Sequence, residues 1–253
     1  MKITILGTGT SQGVPVIGCS CPVCTSLNPH DNRLRSSVLL SNGAQNILID
    51  AGPDFRQQML RAKVQHLDAI LLTHEHNDHV IGLDDIRPFN HRTGQSMAVY
   101  ALPRVALEVR KRFEYVFENP IPGLPRIQLK PIAVDENIHF QDLSIQPIGI
   151  MHGRLPIVGF RIGDLAYLTD VKTVPATEMA KLSGVKYLIV NALQRDQHPT
   201  HMNLEEALEF VEMVSPKRAW LTHISHLMGL ELDVSPGLPK NVILAYDGLE
   251  IEF

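Results

Sequence analysis

The stretch Thr73-His74-Glu75-His76-Asn77-Asp78-His79 constrains this chain more than any other. Its donors His74, His76, Asp78 and His79 are imidazoles and a carboxylate packed into a few positions, a mixture that suits zinc or manganese. The apolar run Ala69-Ile70-Leu71-Leu72 just before it reads as a buried strand. The cluster is therefore expected on a loop leaving the carboxyl end of a strand, where α/β proteins place their chemistry. Such a loop needs a sheet behind it and further ligands arriving from other strand ends.

Both needs find candidates. Strands are expected at residues 1–6, 36–40, 46–50, 69–72, 97–101, 127–133, 143–150, 157–162, 165–169, 187–191, 218–222, 242–244 and 249–253. Ser41-Asn42-Gly43-Ala44 would turn the second into the third. Helices are expected at 54–63, 103–117, 176–182 and 204–214, the last capped by Asn203. Residues 83–89 read as a short interrupted segment and 119–125 as a proline-rich loop. No linker, low-complexity tract or repeat divides the chain, so the expectation is one domain over 1–253, of α/β (α+β) class. Two β-rich halves would pack face to face with helices outside. Three candidate ligands follow strands: His152 after 143–150, Asp170 after 165–169 and His223 after 218–222. With the opening cluster they make seven, enough for a two-metal hydrolytic site in which two divalent ions share an activated water.

Composition narrows the function. With 23 basic against 27 acidic residues, net charge −4, there is no general attraction to nucleic acid or acidic membranes. No apolar run reaches the roughly 20 residues of a membrane span. The first residues read as a strand rather than a signal peptide, which predicts a cytoplasmic protein. The three cysteines, Cys19, Cys21 and Cys24, are too few and too close for a disulfide framework; they suggest a metal site short of one ligand. The loop Gly7-Thr8-Gly9-Thr10-Ser11-Gln12-Gly13 lacks the Lys-Ser/Thr ending of a P-loop and reads as a tight turn near the metal loop.

His74-x-His76-x-Asp78-His79 followed by His152, Asp170 and His223 resembles the metallo-β-lactamase superfamily over nearly the whole chain. The resemblance implies the four-layer αββα sandwich. It also implies one metal on His74, His76 and His152, a second on Asp78, His79 and His223, and Asp170 bridging. Gly18-Cys19-Ser20-Cys21-Pro22-Val23-Cys24, Thr222-His223-Ile224-Ser225-His226 and Thr200-His201-Met202-Asn203 look most like phosphodiesterases of the PhnP type. That likeness implies a structural zinc on Cys19, Cys21, Cys24 and His226. It further implies His201 as proton donor to the leaving oxygen, with His198 its nearby competitor, and Asp78 beside it in the catalytic set. The implied cofactors are two catalytic ions, zinc or manganese, and one structural zinc.

The expected activity is hydrolysis of small cyclic phosphates, such as 5-phosphoribosyl 1,2-cyclic phosphate or nucleoside 2′,3′-cyclic phosphates. The partner would be that small phosphodiester, with no membrane and no nucleic acid, and room for a homodimer. Arg154, Arg33 or Arg35 are candidates to hold a terminal phosphate. The rivals are a tRNase Z-like RNA-processing nuclease, which would carry a basic glycine-rich arm not found here; a thioester hydrolase of the same superfamily; and a non-catalytic metal-binding protein.

Overall fold

The computed structural model describes residues 1–43, 45–118, 121–141 and 143–253, so Ala44 of the expected turn and Asn119 and Pro120 of the expected loop lie outside the described residues. The strands are β1 (Lys2–Gly7), β2 (Ser37–Ser41), β3 (Asn46–Ile49), β4 (Ala69–Leu71), β5 (Met97–Ala101), β6 (Ile127–Pro131), β7 (Ile138–Phe140), β8 (Leu143–His152), β9 (Leu155–Ile162), β10 (Leu165–Leu168), β11 (Tyr187–Asn191), β12 (Arg218–Thr222), β13 (Val242–Leu244) and β14 (Glu250–Glu252). They form two seven-stranded sheets, ordered β14-β1-β2-β3-β4-β5-β6 and β13-β12-β11-β10-β9-β8-β7. In the first, pairing is antiparallel from β14 to β3 and parallel from β3 to β6. In the second it is antiparallel from β7 to β10 and parallel from β10 to β13.

Helices α1 (Phe55–Arg61), α2 (Asn77–Val80), α3 (Arg87–Thr93), α4 (Pro103–Arg112), α5 (Glu114–Phe117), α6 (Ala176–Met179), α7 (Leu204–Val214) and α8 (Glu231–Val234) complete the elements used below. Strand periodicity explains the layers. In β10 the Tyr167 ring joins Ile49, Phe160 and Trp220 in the core between the sheets, whereas its neighbours Ala166 and Leu168 face outward onto α7 residues Ala207 and Phe210. On the far side, Phe55 and Met59 of α1 and Val105 and Val109 of α4 cover the first sheet. The chain has the αββα sandwich.

The expected single helix at 103–117 is two helices. Phe113 leaves helical geometry (φ −112°, ψ 36°) and buries its ring with α4, a packing gain that outweighs helix continuity. Residues 81–86 form a 3-10 turn that leads into α3, whose first turn tolerates Pro88 because its missing N–H would be unpaired there anyway. β7 and the short α2 escaped the periodicity because three or four residues carry too little pattern. The Asn203 cap is as expected, and Glu206 closes a capping box: Asn203 Oδ1 accepts from Glu206 N at 3.0 Å, and Glu206 Oε2 accepts from Asn203 N at 3.0 Å.

Close backbone approach locks the metal loop to the first sheet. A Cβ on Gly52 would lie 2.0 Å from the Asp78 carbonyl oxygen, and one on Gly82 2.0 Å from the Gly52 carbonyl oxygen. Gly52→Ala must therefore push Asp78 and α2 away. It is expected to cost about 3 kcal/mol in urea unfolding, at the upper end for overpacking, and to weaken metal retention at the Asp78 side. An unchanged urea midpoint would show that this contact gives way freely.

Candidate metal centre

The site lies at the carboxyl ends of strands from both sheets. His74 and His76 follow β4; His152 ends β8, which runs two residues further than expected; Asp170 follows β10; His223 follows β12. Asp50 after β3 (φ 65°), Asp170 after β10 (φ 58°) and His223 after β12 (φ 54°) take left-handed backbone. Asp and His adopt that conformation more readily than most residues, and such turns concentrate where side chains must be aimed.

Candidate donor atoms gather in two adjoining groups, His74, His76 and His152 in one and Asp78, His79, Asp170 and His223 in the other. His74 Nε2 and His76 Nδ1 are 2.9 Å apart. Asp170 faces both groups: its Oδ1 is 3.4 Å from His79 Nε2, and its Oδ2 is 3.1 Å from His223 Nε2 and 4.0 Å from His74 Nε2. Asp78 Oδ2 is 3.1 Å from His79 Nε2 and 3.8 Å from His223 Nε2. His201 adds its Nε2 at 3.1 Å from Asp170 Oδ2.

These residues fit divalent ions. His79 Nε2 and both ring nitrogens of His223 are buried without hydrogen-bond partners, which is costly unless another partner takes the lone pair. Charge points the same way. Burial disfavours the imidazolium at His79, yet Asp170, Asp78 and Asp50 hold its pKa well above the usual value; at His223, Asp170 likewise outweighs burial and lifts it to about 9. Asp78 and Asp170, although buried, are held below the usual carboxylate range, Asp78 mainly by His79 and Asp170 mainly by His223. The two carboxylates are thus held ionised by positive charge on the neighbouring imidazoles, the place that a bound cation would take. Burial, reinforced by neighbouring imidazoles, lowers His74 and His76 and keeps them neutral, as ligands must be.

Surrounding residues fix the ring orientations. His79 Nδ1 donates to Asp50 Oδ2 at 2.7 Å, leaving Nε2 for the site, while Asp50 also accepts from Thr73 N and Thr73 Oγ1 at 2.8 Å each. His152 Nδ1 donates to the Thr200 carbonyl at 2.9 Å. Glu75 pairs with Arg104 of α4, whose Nη2 donates to Pro156 O at 2.7 Å and so ties the metal loop to β9. Asp50 was not among the expected site residues. Its signal was there, an acidic residue at a strand's carboxyl end like Asp170, but it stands outside the dense motif.

A separate cluster brings Cys19, Cys21 and Cys24 to His226. The three Sγ atoms lie 3.4, 3.4 and 3.5 Å from its Nδ1. Tetrahedral zinc with bonds of about 2.3 Å to sulfur and 2.0–2.1 Å to nitrogen separates S from N by about 3.5 Å. Backbone N–H groups of Cys24 and Val16 donate to Cys21 Sγ (3.4 Å) and Cys24 Sγ (3.3 Å), a pattern that favours thiolates. The Gly7–Gly13 loop braces this region: Ile224 N donates to Thr8 O (2.8 Å) and Thr10 N to Ile224 O (3.1 Å).

Among the arginines considered for phosphate binding, Arg33 is buried (4% exposed), where its guanidinium donates to Thr8 Oγ1 and Ala245 O. It is spent on structure. Arg35 pairs with Asp54 at 3.2 Å, and Arg154 is exposed at the β8–β9 turn.

A model of the β-lactamase superfamily domain matches residues 45–224, a span that includes all seven candidate catalytic ligands. The chain belongs to the metallo-β-lactamase superfamily. Members of this superfamily are mostly hydrolases. Among solved structures, it is similar to the crystal structure of a diphosphatase from the PhnP family, with TM-score 0.93 and 38% identity, covering 100% of this chain and 97% of that one. Zinc-bound PqqB from Methylobacterium extorquens gives TM-score 0.81 at 22% identity, covering 100% of both chains, and speaks to the fold alone. A Porphyromonas gingivalis protein named octanoyltransferase is 44% identical over 254 residues, 99% of this chain and 51% of that protein. The chain thus spans about half the length of that relative. Among the described residues no helix is long and apolar enough to cross a membrane.

Proposed function

We propose that this protein is a metal-dependent hydrolase of small phosphodiesters, cyclic ribose phosphates first among them. The observation that carries the reading is His201 Nε2, held 3.1 Å from the carboxylate that faces both ligand groups. His74, His76 and His152 would hold one ion, Asp78, His79 and His223 the second, with Asp170 between them. Zinc or manganese suits both sets. Bound there, the ions supply acidified water at neutral pH and positive charge against the phosphoryl oxygens. Asp78 and Asp170 would bring carboxylate charge to the ions. Asp50 and Thr200 hold His79 and His152 in register.

His201 supplies the proton to the departing oxygen. Burial pulls its pKa down to about 4, against the opposing pull of Asp170. An anionic phosphate entering beside the ring drives it back up and loads it with a proton. The similarity to a PhnP-family diphosphatase supports diphosphates as the second substrate class. The octanoyltransferase name of the longer relative brings a thioester into the same panel.

The test is a substrate panel on fully metallated protein: a cyclic ribose phosphate, diesters with nitrophenyl and alkyl leaving groups, a diphosphate, an acyl thioester and a precursor tRNA. Wild type is expected to turn over the cyclic phosphate. His201→Ala is expected to lose about 10²–10⁴-fold on the alkyl diester and far less on the nitrophenyl diester, whose leaving group needs no proton. Loss that is equal on both would remove His201 from the proton-transfer role. Turnover of precursor tRNA alone would favour the nuclease, of the thioester alone the thioesterase, and of nothing a binding protein.

A further inference from the structure

We propose that His198 is a positioning residue, whose Nδ1 lone pair fixes Thr200 and His201 and thereby orients the proton donor. The proposal rests on the reading of His201 given above. Thr200 N–H donates to His198 Nδ1 at 3.4 Å, so that nitrogen carries a lone pair and the His198 proton sits on Nε2. His201 Nδ1 lies 3.2 Å from the same nitrogen and 3.0 Å from Thr200 Oγ1, while Thr200 Oγ1 is 3.3 Å from His198 Nδ1. Beside this acceptor, we place the His201 proton on Nδ1, shared between His198 Nδ1 and Thr200 Oγ1. That bond sets the ring with its Nε2 edge toward Asp170 Oδ2.

The same short segment reaches the metal ligands. The Thr200 carbonyl takes the His152 Nδ1–H at 2.9 Å, leaving His152 Nε2 toward His74 and His76. Packing holds the segment against the β8–β9 hairpin: a Cβ on Gly153 would lie 2.8 Å from Thr200 Cγ2, so the hairpin tip sits directly on Thr200. Pro199 stiffens the turn between His198 and Thr200 by fixing its own φ. His198 therefore stands to His201 as a third group stands to a general acid or base in a catalytic triad, touching neither substrate nor metal.

Asparagine discriminates. Its Oδ1 can occupy the place of Nδ1 and accept from the N–H two residues on, as in an Asx turn, but it cannot carry a proton as imidazole does. In zinc-loaded protein, His198→Ala is expected to lower kcat about 10–100-fold on an alkyl diester, the usual scale for an outer-shell partner. It should change the nitrophenyl diester little and leave the bound zinc count unaltered. His198→Asn should recover most of that loss.

A second readout does not depend on turnover. The imidazole N–H resonances of labelled protein should show a solvent-protected His201 Nδ1–H in wild type and His198→Asn, lost in His198→Ala. Persistence of that resonance in His198→Ala, or an asparagine variant as impaired as the alanine one, would overturn the proposal. If no protein in the series cleaves any diester, the hydrolase reading fails, and the resonance still decides whether His198 positions His201.

Discussion

Asp170→Ala is expected to lower turnover by about 10⁴-fold and to leave at most one tightly held ion in the catalytic centre. The residue is buried (2% exposed), and its two oxygens lie within 3.4 Å of His79, His223 and His201. Its Oδ2 also lies 4.0 Å from His74 Nε2. Removing it takes away the carboxylate placed between the two groups of donors and leaves His201 Nε2 without the oxygen it faces. A pair of ions held close together repel each other, and a shared carboxylate is what offsets that repulsion. Loss of several kcal/mol of charge stabilisation corresponds to three to four decades in rate at about 1.4 kcal/mol per decade.

Asp170→Asn is the control. It keeps the shape, tolerates the left-handed backbone and leaves one good acceptor. It should retain one ion and fall between wild type and alanine. Metal per chain after dialysis, measured beside kcat, checks both variants. An alanine variant that keeps both catalytic ions would remove Asp170 from the bridging position.

The candidate ligands were legible in the sequence because their chemistry is local. His74, His76, Asp78 and His79 sit in one short loop, and His152, Asp170 and His223 each stand at or just past an apolar strand. Strands such as β11 and β12 were readable at their ends because buried parallel strands are continuous apolar runs. Other features depend on contacts between distant residues, and no local pattern carries them. Asp50 gains its role only because β3 lies beside β4 and brings it under His79 and Thr73. Arg33 looks like any surface arginine until Thr8 and Ala245 O close over it. Glu75 is an unconstrained position of the motif until Arg104 arrives from α4. The sheet order is likewise set by pairings such as Lys2 with Glu252, 250 positions apart.

His226→Ala is expected to reduce bound metal from three ions per chain to two and to lower Tm by about 6–12 °C. The second figure follows from a loss of about 3 kcal/mol at 2–4 °C per kcal/mol for a chain of this size. Between Val14 and Arg33 the chain has little regular structure, and its apolar content is thin, with Ile17 and Leu27 almost fully exposed. Such a segment has little burial to order it; an ion held by its three thiols and His226 would supply that order. His226 is also joined to the catalytic centre through the backbone, since Ile224, between it and His223, is bonded to Thr8 and Thr10.

Titration of the thiols gives the site a pH signature. The Cys24 N–H and His226 lower Cys21 to about 6, whereas burial raises Cys24 to about 11. Zinc binding to thiolates would therefore release protons from this cluster, the buried Cys24 foremost among them. Affinity should rise with pH through this range, and a competing chelator should strip the third ion more readily at pH 6 than at pH 8. His226→Ala should retain both ions of the catalytic centre and lose turnover only several-fold, because it loosens the segment after His223 without removing a catalytic ligand. Two ions per wild-type chain, together with an unchanged Tm in His226→Ala, would mean that the three thiols and the imidazole meet without holding zinc.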